Sequence, residues 1–142
     1  MLIWSAVVLV LLVLGGWGAA SLHHHLTYGT VVGEEQPALS VDRGDRFSIG
    51  VRDLGSSVGD HWTAQAAPEG ALDAAGEHNV SDSLLDRVGI GTQNDGGGAG
   101  TTYFSYDARQ AGTATVTLTN CFQGCHQPSR YSRSVTWTIT VK

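Results

Sequence analysis

A strict alternation of apolar and polar residues at the end of the chain is the feature that most constrains its fold. Val135, Trp137, Ile139 and Val141 alternate with serine and threonine residues. Because successive side chains of a β-strand point to opposite faces, this pattern predicts a strand with one buried face and one face in water. Runs of the same kind occur in four earlier segments: 47–52, 62–67, 101–108 and 113–120.

Turn-forming residues separate these runs. Arg43-Gly44-Asp45, Ala67-Pro68-Glu69-Gly70 and Gln110-Ala111-Gly112 each contain a glycine, and the second also contains proline. Short alternating strands separated by such turns predict an all-β domain, a β-sandwich of about seven strands. The predicted strands are 38–42, 47–52, 62–67, one near 84–90, 101–108, 113–120 and 132–141.

The segment 71–90 is the least regular part of the pattern. Residues 81–87 fit a helical turn capped at its N-terminus, and they fit an irregular strand between the two sheets equally well. In contrast, Trp62 and Trp137 lie on the apolar faces of regular strands, so both are predicted to be core residues. His61, beside Trp62, is expected to be an exposed loop residue.

Three connections of the predicted sandwich should leave from one end. If consecutive strands run antiparallel, alternate connections share an end, which brings together the loops 55–60, 94–100 and 121–125. The middle loop reads Asn-Asp-Gly-Gly-Gly-Ala-Gly, and glycine permits both positive φ and the close approach of another backbone. Taken alone, this loop fits a contact surface or a plain flexible connection. Loops gathered at one end of a sandwich commonly form a binding surface.

Residues 1–22 are predicted to be a signal peptide or a transmembrane anchor. The run Leu2–Leu14 is apolar except for Ser5, and no charge follows before Ala20. A small-x-small site ending at Ala20 favours a signal peptide, whereas a length near the ~20 residues that span a bilayer favours an anchor. A buried core helix is a third alternative. The first two place the rest of the chain outside the cytoplasm, either secreted or held at the cell membrane by this segment alone.

Residues 23–36 are predicted to be a linker, and residues 37–142 the folded domain. Three consecutive histidines, His23-His24-His25, invite a metal-binding interpretation. Adjacent side chains of an extended chain point to opposite faces, so three in a row do not converge on one ion. A solvated spacer is therefore the favoured interpretation.

The two cysteines, Cys121 and Cys125, are predicted to form a disulfide. They are four residues apart between two strands, and the predicted compartment is oxidising. A metal site would add His126 to the two thiols, but the sequence offers no fourth ligand with zinc-like spacing. The prediction is a disulfide and no metal site.

Composition and motifs argue against several other classes of function. The formal net charge is −5 and the basic residues are scattered, which disfavours binding to nucleic acid. No G-x-S-x-G motif is present, and the predicted disulfide leaves no free thiol as a nucleophile. Asn94, Asp95 and Asp107 lack the ordered acidic spacing of calcium loops. We expect no enzyme activity and no cofactor.

A series of motifs resembles the chagasin-like inhibitors of cysteine proteases. In chain order these motifs are a loop that ends in Gly59-Asp60-His61-Trp62, a glycine-rich loop leading to Phe104, and the turn Ala111-Gly112-Thr113. The resemblance spans residues 37–141. It implies an immunoglobulin-like sandwich that inserts three adjacent loops into the active-site cleft of papain-like proteases. The chain departs from the family in having Gly55-Ser56 for Asn-Pro, and Phe122-Gln123-Gly124 for Arg-Pro-Trp.

The resemblance implies a monomeric inhibitor whose partner is a papain-like cysteine protease. The first loop would cover the catalytic cysteine, the glycine loop would offer main-chain hydrogen bonds, and Phe122 would supply an apolar contact. The disulfide would order the third loop before binding. The alternative is a non-inhibitory extracytoplasmic immunoglobulin-like module for binding or adhesion. The predicted protease contacts are Ser56, Ser57, Val58, Gly59, Gly97, Gly98, Ala99, Gly100, Phe122 and Gln123.

Overall fold

The computed structural model describes residues 26–82, 99–123 and 132–142. These residues form eight β-strands and a short 3-10 turn. The strands are β1 (Thr30–Val32), β2 (Ala38–Val41), β3 (Arg46–Asp53), β4 (Trp62–Ala67), β5 (Leu72–Ser81), β6 (Gly100–Ala108), β7 (Gly112–Asn120) and β8 (Arg133–Val141), and the 3-10 turn is Ser56–Val58.

The strands form two four-stranded sheets. One sheet has the order β1-β3-β6-β5 and the other the order β2-β8-β7-β4. The pairs β1–β3 and β2–β8 are parallel, and the remaining pairs are antiparallel. Strands β5, β6 and β3 opposite β4, β7 and β8 correspond to the two sheets of a constant-type immunoglobulin domain. The all-β sandwich predicted from the alternation is confirmed.

The apolar faces of both sheets form one core. Trp137 is fully buried and its indole N–H donates to the Gly33 carbonyl oxygen at 3.0 Å. Trp62 is also buried, and its indole N–H donates to the Arg52 carbonyl oxygen at 3.0 Å. Each large ring thus gains apolar burial while its single donor is satisfied. The prediction that both tryptophans are core residues is confirmed.

Part of the predicted linker belongs to the sandwich. Thr30–Val32 form β1 beside β3, and Val32 is buried in the core. The next residue, Gly33, accepts the hydrogen bond from Trp137. The linker prediction over 23–36 is wrong for these residues, because a strand of three residues is too short to show an alternating pattern.

The strand before β6 in the chain is β5, Leu72–Ser81. The position predicted for this strand, 84–90, lies outside the described residues. After Leu72 the β5 side chains stay exposed as far as Val80, and a bulge interrupts the pairing between Ala74 and Gly76. An exposed edge strand with a bulge has no period-two pattern, which explains why the sequence did not reveal it.

The predicted N-terminal hydrophobic helix, residues 1–22, lies outside the described residues. Within 26–82, 99–123 and 132–142, no helix has the length and apolar character needed to cross a bilayer.

The strand register places three loops at one end of the sandwich. Gly100, the first residue of β6, pairs with Asp53 at the end of β3 and with Ser81 at the end of β5. In the other sheet, Asn120 at the end of β7 pairs with Trp62 and Arg133, the first residues of β4 and β8. The first loop (54–61) and the described ends of the second (82–99) and third (121–132) loops therefore lie at this end, as predicted. We call the described residues of these three loops the loop rim, and the opposite end, with turns 42–45, 68–71 and 109–111, the base.

Candidate functional site

The first loop of the rim is a compact turn with an exposed apolar tip. The amide of Val58 donates to the Gly55 carbonyl oxygen at 3.2 Å, and the amide of Gly59 donates to that of Ser56 at 3.0 Å. Gly55 and Gly59 have φ values of 95° and 76°, a left-handed region that glycine enters without a steric penalty. The side chain of Val58, between them, is 47% exposed. The loop thus presents an apolar residue on a backbone closed by its own hydrogen bonds.

Asp53 ties the start of the first loop to the sheet that contains β6. One carboxylate oxygen of Asp53 accepts from the Gly55 amide at 2.6 Å, and the other accepts from the Thr102 hydroxyl at 2.8 Å. The Thr102 hydroxyl in turn accepts from the side-chain amide of Asn79 on β5, at 2.9 Å. This chain of bonds links three strands of one sheet to the loop backbone, so the first loop is fixed from this side.

Asp60 ties the end of the first loop to the opposite sheet. Its carboxylate is buried and accepts from the Leu54 amide at 2.7 Å and from the side-chain amide of Asn120 on β7. Hydrogen bonds to a charged group contribute more than neutral ones, about 1.5–3 kcal/mol each. Because Leu54 begins the loop and Asn120 ends β7, one carboxylate holds both ends of the loop and a strand of the second sheet together.

The third loop packs directly on the first. The Gln123 amide donates to the Gly59 carbonyl oxygen at 2.7 Å, and the Cys121 amide donates to that of His61 at 2.7 Å. A Cβ atom on Gly59 would lie 3.2 Å from the Gln123 Cα atom, closer than most contacts of this kind. Gln123 itself has a φ of 61°, an unfavourable conformation for a non-glycine residue. The first loop and the described start of the third loop therefore form one continuous surface.

The described ends of the second loop lie on the same rim. The Asp82 amide donates to the Ala99 carbonyl oxygen at 3.0 Å, and the Asp82 carboxylate pairs with Arg52 at 2.6 Å. A Cβ on Gly100 would lie 2.3 Å from the Val80 carbonyl oxygen, so only glycine permits this close approach of β5 and β6. The second loop therefore starts and ends beside the first.

Arg133 braces the rim on the side of the third loop. Its guanidinium lies 5.1 Å from the centroid of the Trp62 ring and donates to the Glu34 carboxylate, with one N–H bond of 2.8 Å. The hydrogen bonds to Glu34 raise the pKa of Arg133 above its usual value, although burial opposes the shift. The stacking and the ion pair connect the start of β8, the start of β4 and the turn after β1.

The predicted contact residues are only partly within the described chain. Ser56, Ser57, Val58 and Gly59 form the first loop, where the two serines and the valine are exposed. Ala99 and Gly100 lie at the end of the second loop, and Phe122 and Gln123 at the start of the third. Gly97, Gly98 and Cys125 lie outside the described residues, so the disulfide and the glycine-loop contacts stay predictions.

Three residues important to the rim were missed in the sequence: Asp53, Leu54 and Asp60. The motif Asp53-Leu54-Gly55 is the signal that could have revealed the first, because an Asp side chain commonly bonds the backbone amide two residues on. No local signal marks the role of Asp60, since its partner Asn120 is 60 residues away. The sequence gives no signal for Leu54 either, although the residue is 50% exposed.

Metal and acid–base chemistry find no support in the described part of the rim. No group of three or more His, Cys, Asp or Glu residues that could hold a metal ion occurs within 26–82, 99–123 and 132–142. His61 is exposed, as predicted. The carboxylates of Asp53 and Asp60 are occupied by hydrogen bonds from the loop and its neighbouring strands. The arrangement is suited to presenting a shaped surface.

Solved structures with a similar fold include two proteins of low sequence identity. Amebosin, solved in solution, is similar with a TM-score of 0.58 at 16% identity, over 80% of this chain and 97% of its own. The crystal structure of the cysteine protease inhibitor EhICP2 from Entamoeba histolytica gives a TM-score of 0.60 at 15% identity, over 80% of this chain and 95% of its own. The chagasin-like fold predicted from the sequence motifs is confirmed. No family model matches the chain, and no curated protein matches it.

Proposed function

We propose that this chain inhibits papain-like cysteine proteases by placing its loop rim in the active-site cleft. The observation that carries the proposal is the exposed Val58 at the tip of a first loop that both sheets hold in place. The fold supports the choice of partner, because EhICP2, which shares it, is a cysteine protease inhibitor. The proposal needs no covalent chemistry on the inhibitor.

The fixed first loop favours binding because little conformational entropy is left to lose. Each rotamer-rich side chain or flexible loop that becomes ordered on binding reduces affinity, by roughly 0.5–1.5 kcal/mol per side chain. Asp53 and Asp60 already hold the loop in the free protein. Val58 can then enter a cleft without prior rearrangement of its backbone, together with the exposed Ser56 and Ser57 that precede it.

The second and third loops would extend the contact along the cleft. Gly97, Gly98, Ala99 and Gly100 would offer main-chain groups to an extended groove of the protease, as in the addition of a strand to a sheet edge. Phe122 and Gln123 would contact the other side of the cleft, in a loop ordered by a disulfide between Cys121 and Cys125. With its N-terminal segment as a leader or an anchor, the inhibitor would act outside the cytoplasm.

The direct test is an inhibition titration with the full-length chain. Papain and a cathepsin-type protease are assayed with a peptide substrate at increasing inhibitor concentration, and we expect competitive inhibition at micromolar concentration or below. The full chain is used because a fragment starting at Pro37 would lack β1 and the Gly33 carbonyl that accepts from Trp137. Full protease activity at micromolar inhibitor would contradict the proposal and favour the non-inhibitory binding module.

A variant of the loop tip then tests the site. We expect Val58→Asp to raise the inhibition constant at least about tenfold, because a charge would have to be desolvated in the cleft. Val31→Asp is the matched control, since Val31 is 38% exposed and lies on β1, away from the rim. Equal inhibition by the two variants would remove Val58 from the contact surface.

A further inference from the structure

We propose that Leu54 is a second apolar contact residue for the protease, positioned between the first and the second loop. The inference rests on the proposed function and names a residue that the family motifs do not include. It also specifies the partner surface, which must present an apolar patch beside the part of the cleft that receives Val58.

The exposure of Leu54 is unusual for this chain. Among the described residues, the exposed large apolar side chains are Leu26, Val31, Leu54, Val58 and Val80. Leu54 and Val58 belong to the first loop, and Val80 lies one residue before the end of β5. Three of the five thus lie at or beside the rim, whereas the described turns of the base carry none. Apolar side chains gathered at one end of a sandwich indicate an interaction surface.

The backbone of Leu54 is fixed in a way that directs its side chain outward. Val51 is buried, Arg52 is exposed and the Asp53 carboxylate bonds inward to the buried Thr102. The alternation of the strand then turns the next side chain, Leu54, outward. The bond from the Leu54 amide to the buried Asp60 carboxylate holds this orientation at 2.7 Å. A side chain held outward contributes its apolar area to a partner at a small cost in entropy.

The register places Leu54 next to the second loop. Asp53 pairs with Gly100 in the antiparallel ladder of β3 and β6, so Leu54 directly follows the residue that pairs with the start of β6, where the second loop ends. The Ala99 carbonyl accepts from the Asp82 amide at 3.0 Å, so both described ends of the second loop lie here. A protease that engages the first and second loops together must therefore cover Leu54.

The test compares three variants with the full-length wild type in the papain titration. We expect Leu54→Ser to raise the inhibition constant about tenfold, and Leu54→Met, which keeps the apolar area, to inhibit within about twofold of the wild type. Val31→Ser is the control for loss of an exposed apolar residue outside the rim. Thermal unfolding midpoints close to the wild type would establish that each variant is folded.

The outcomes separate this inference from the proposed function. If the wild type inhibits and Leu54→Ser has the same inhibition constant, the role of Leu54 is overturned. The proposed function would still stand. A wild type that inhibits neither protease would overturn both, and that result is visible before any variant is compared. Equal losses in Leu54→Ser and Val31→Ser would also overturn the inference, because the effect would not be specific to the rim.

Discussion

The loop rim and the base of the sandwich are held in place by different kinds of hydrogen bond. At the base, short turns are closed by local backbone hydrogen bonds and joined to neighbouring segments by further ones: the Asp45 amide donates to the Asp42 carbonyl oxygen at 3.0 Å, and the Gly44 amide donates to that of Ala108 at 2.8 Å. At the rim, longer loops are held by carboxylates that bond residues far along the chain, as Asp60 does with Asn120. The base is held by backbone hydrogen bonds within and between its turns, whereas the rim also depends on side-chain hydrogen bonds to both sheets.

Charged residues show the same contrast. The base carries a partly exposed ion-pair network in which Asp107 pairs with Arg46 at 2.8 Å and Arg109 pairs with Asp73 at 2.6 Å. Such pairs are screened by water and contribute modestly. The Asp60 carboxylate at the rim is buried, so its hydrogen bonds cannot be replaced by water when they are lost. Equivalent substitutions should therefore have larger effects at the rim than at the base.

The largest effect is expected for Asp60→Ala. The change leaves the Leu54 amide and the Asn120 side-chain amide without their acceptor, and we expect a loss of about 2–4 kcal/mol in the free energy of unfolding. The inhibition constant should also rise, because the first loop loses its attachment to β7. Denaturant unfolding and the papain titration measure the two effects. A stability within about 0.5 kcal/mol of the wild type would mean that the buried carboxylate does not hold the loop.

The second-largest effect is expected for Gly59→Ala, and Gly44→Ala is its control for backbone strain alone. Gly59 has a φ of 76° and Gly44, in a base turn, a φ of 95°. Alanine at either position is strained, at a cost of about 1–2 kcal/mol. A Cβ on Gly44 meets nothing within 4 Å, whereas one on Gly59 would press on Gln123. We expect both alanine variants to lose stability, and only Gly59→Ala to weaken inhibition, by about tenfold.

Inhibition and unfolding assays of Gly44→Ala and Gly59→Ala distinguish general destabilisation from a local effect on the rim. If Gly44→Ala weakened inhibition as much as Gly59→Ala, general destabilisation would account for the loss. The comparison of rim and base would then fail at this position.

The smallest effect is expected for Asp107→Asn at the base. The hydrogen bond from Arg46 holds the pKa of Asp107 below its usual value, although burial opposes the shift. A depressed pKa in the folded state gives stability that is present above the unfolded pKa, near 4, and is lost as the pH falls through the folded pKa. The variant should be about 0.5–1 kcal/mol less stable at pH 7, with unchanged inhibition.

Urea unfolding at pH 7 and at pH 2–3 tests this prediction. The difference in the free energy of unfolding between Asp107→Asn and the wild type should be smaller in acid. Added salt should narrow it as well, because the pair is partly exposed. A gap that is constant with pH would show that the Arg46–Asp107 pair is not its source.

The base was more accessible to sequence analysis than the rim. The turns at Gly44, Pro68 and Gly112 were read from local glycine and proline signals, and the structure has turns or bends there. The first loop was located and its Gly59 and Trp62 were recognised, but the attachments through Asp53 and Asp60 were not. Asp53-Leu54-Gly55 is a local signal for the bond to the Gly55 amide. The other partners, Thr102 for Asp53 and Asn120 for Asp60, lie 49 and 60 residues away in the chain, and one sequence contains no signal for such pairs.

Strands β1 and β5 were the second feature that the sequence analysis did not detect. β1 and β5 each pair with only one strand, and their side chains are mostly exposed. Edge position alone is not the cause, because the edge strands β2 and β4 were predicted. β1 is only three residues long, and β5 is exposed over 73–80 and interrupted by a bulge, so neither shows alternation. The strands predicted correctly, β2, β3, β4, β6, β7 and β8, supply most of the buried core of the described residues.

The sequence by itself determined that this chain forms a two-layer β-sandwich with tryptophans in its core and three loops at one end. Alternation and turn residues are local, and the parity of antiparallel strands follows from them. Only the tertiary structure decided that β1 completes a sheet, that Asp53 and Asp60 hold the first loop from opposite sheets, and that Leu54 faces outward. These features depend on contacts between segments that are distant in the chain, and such contacts exist only once both sheets have packed.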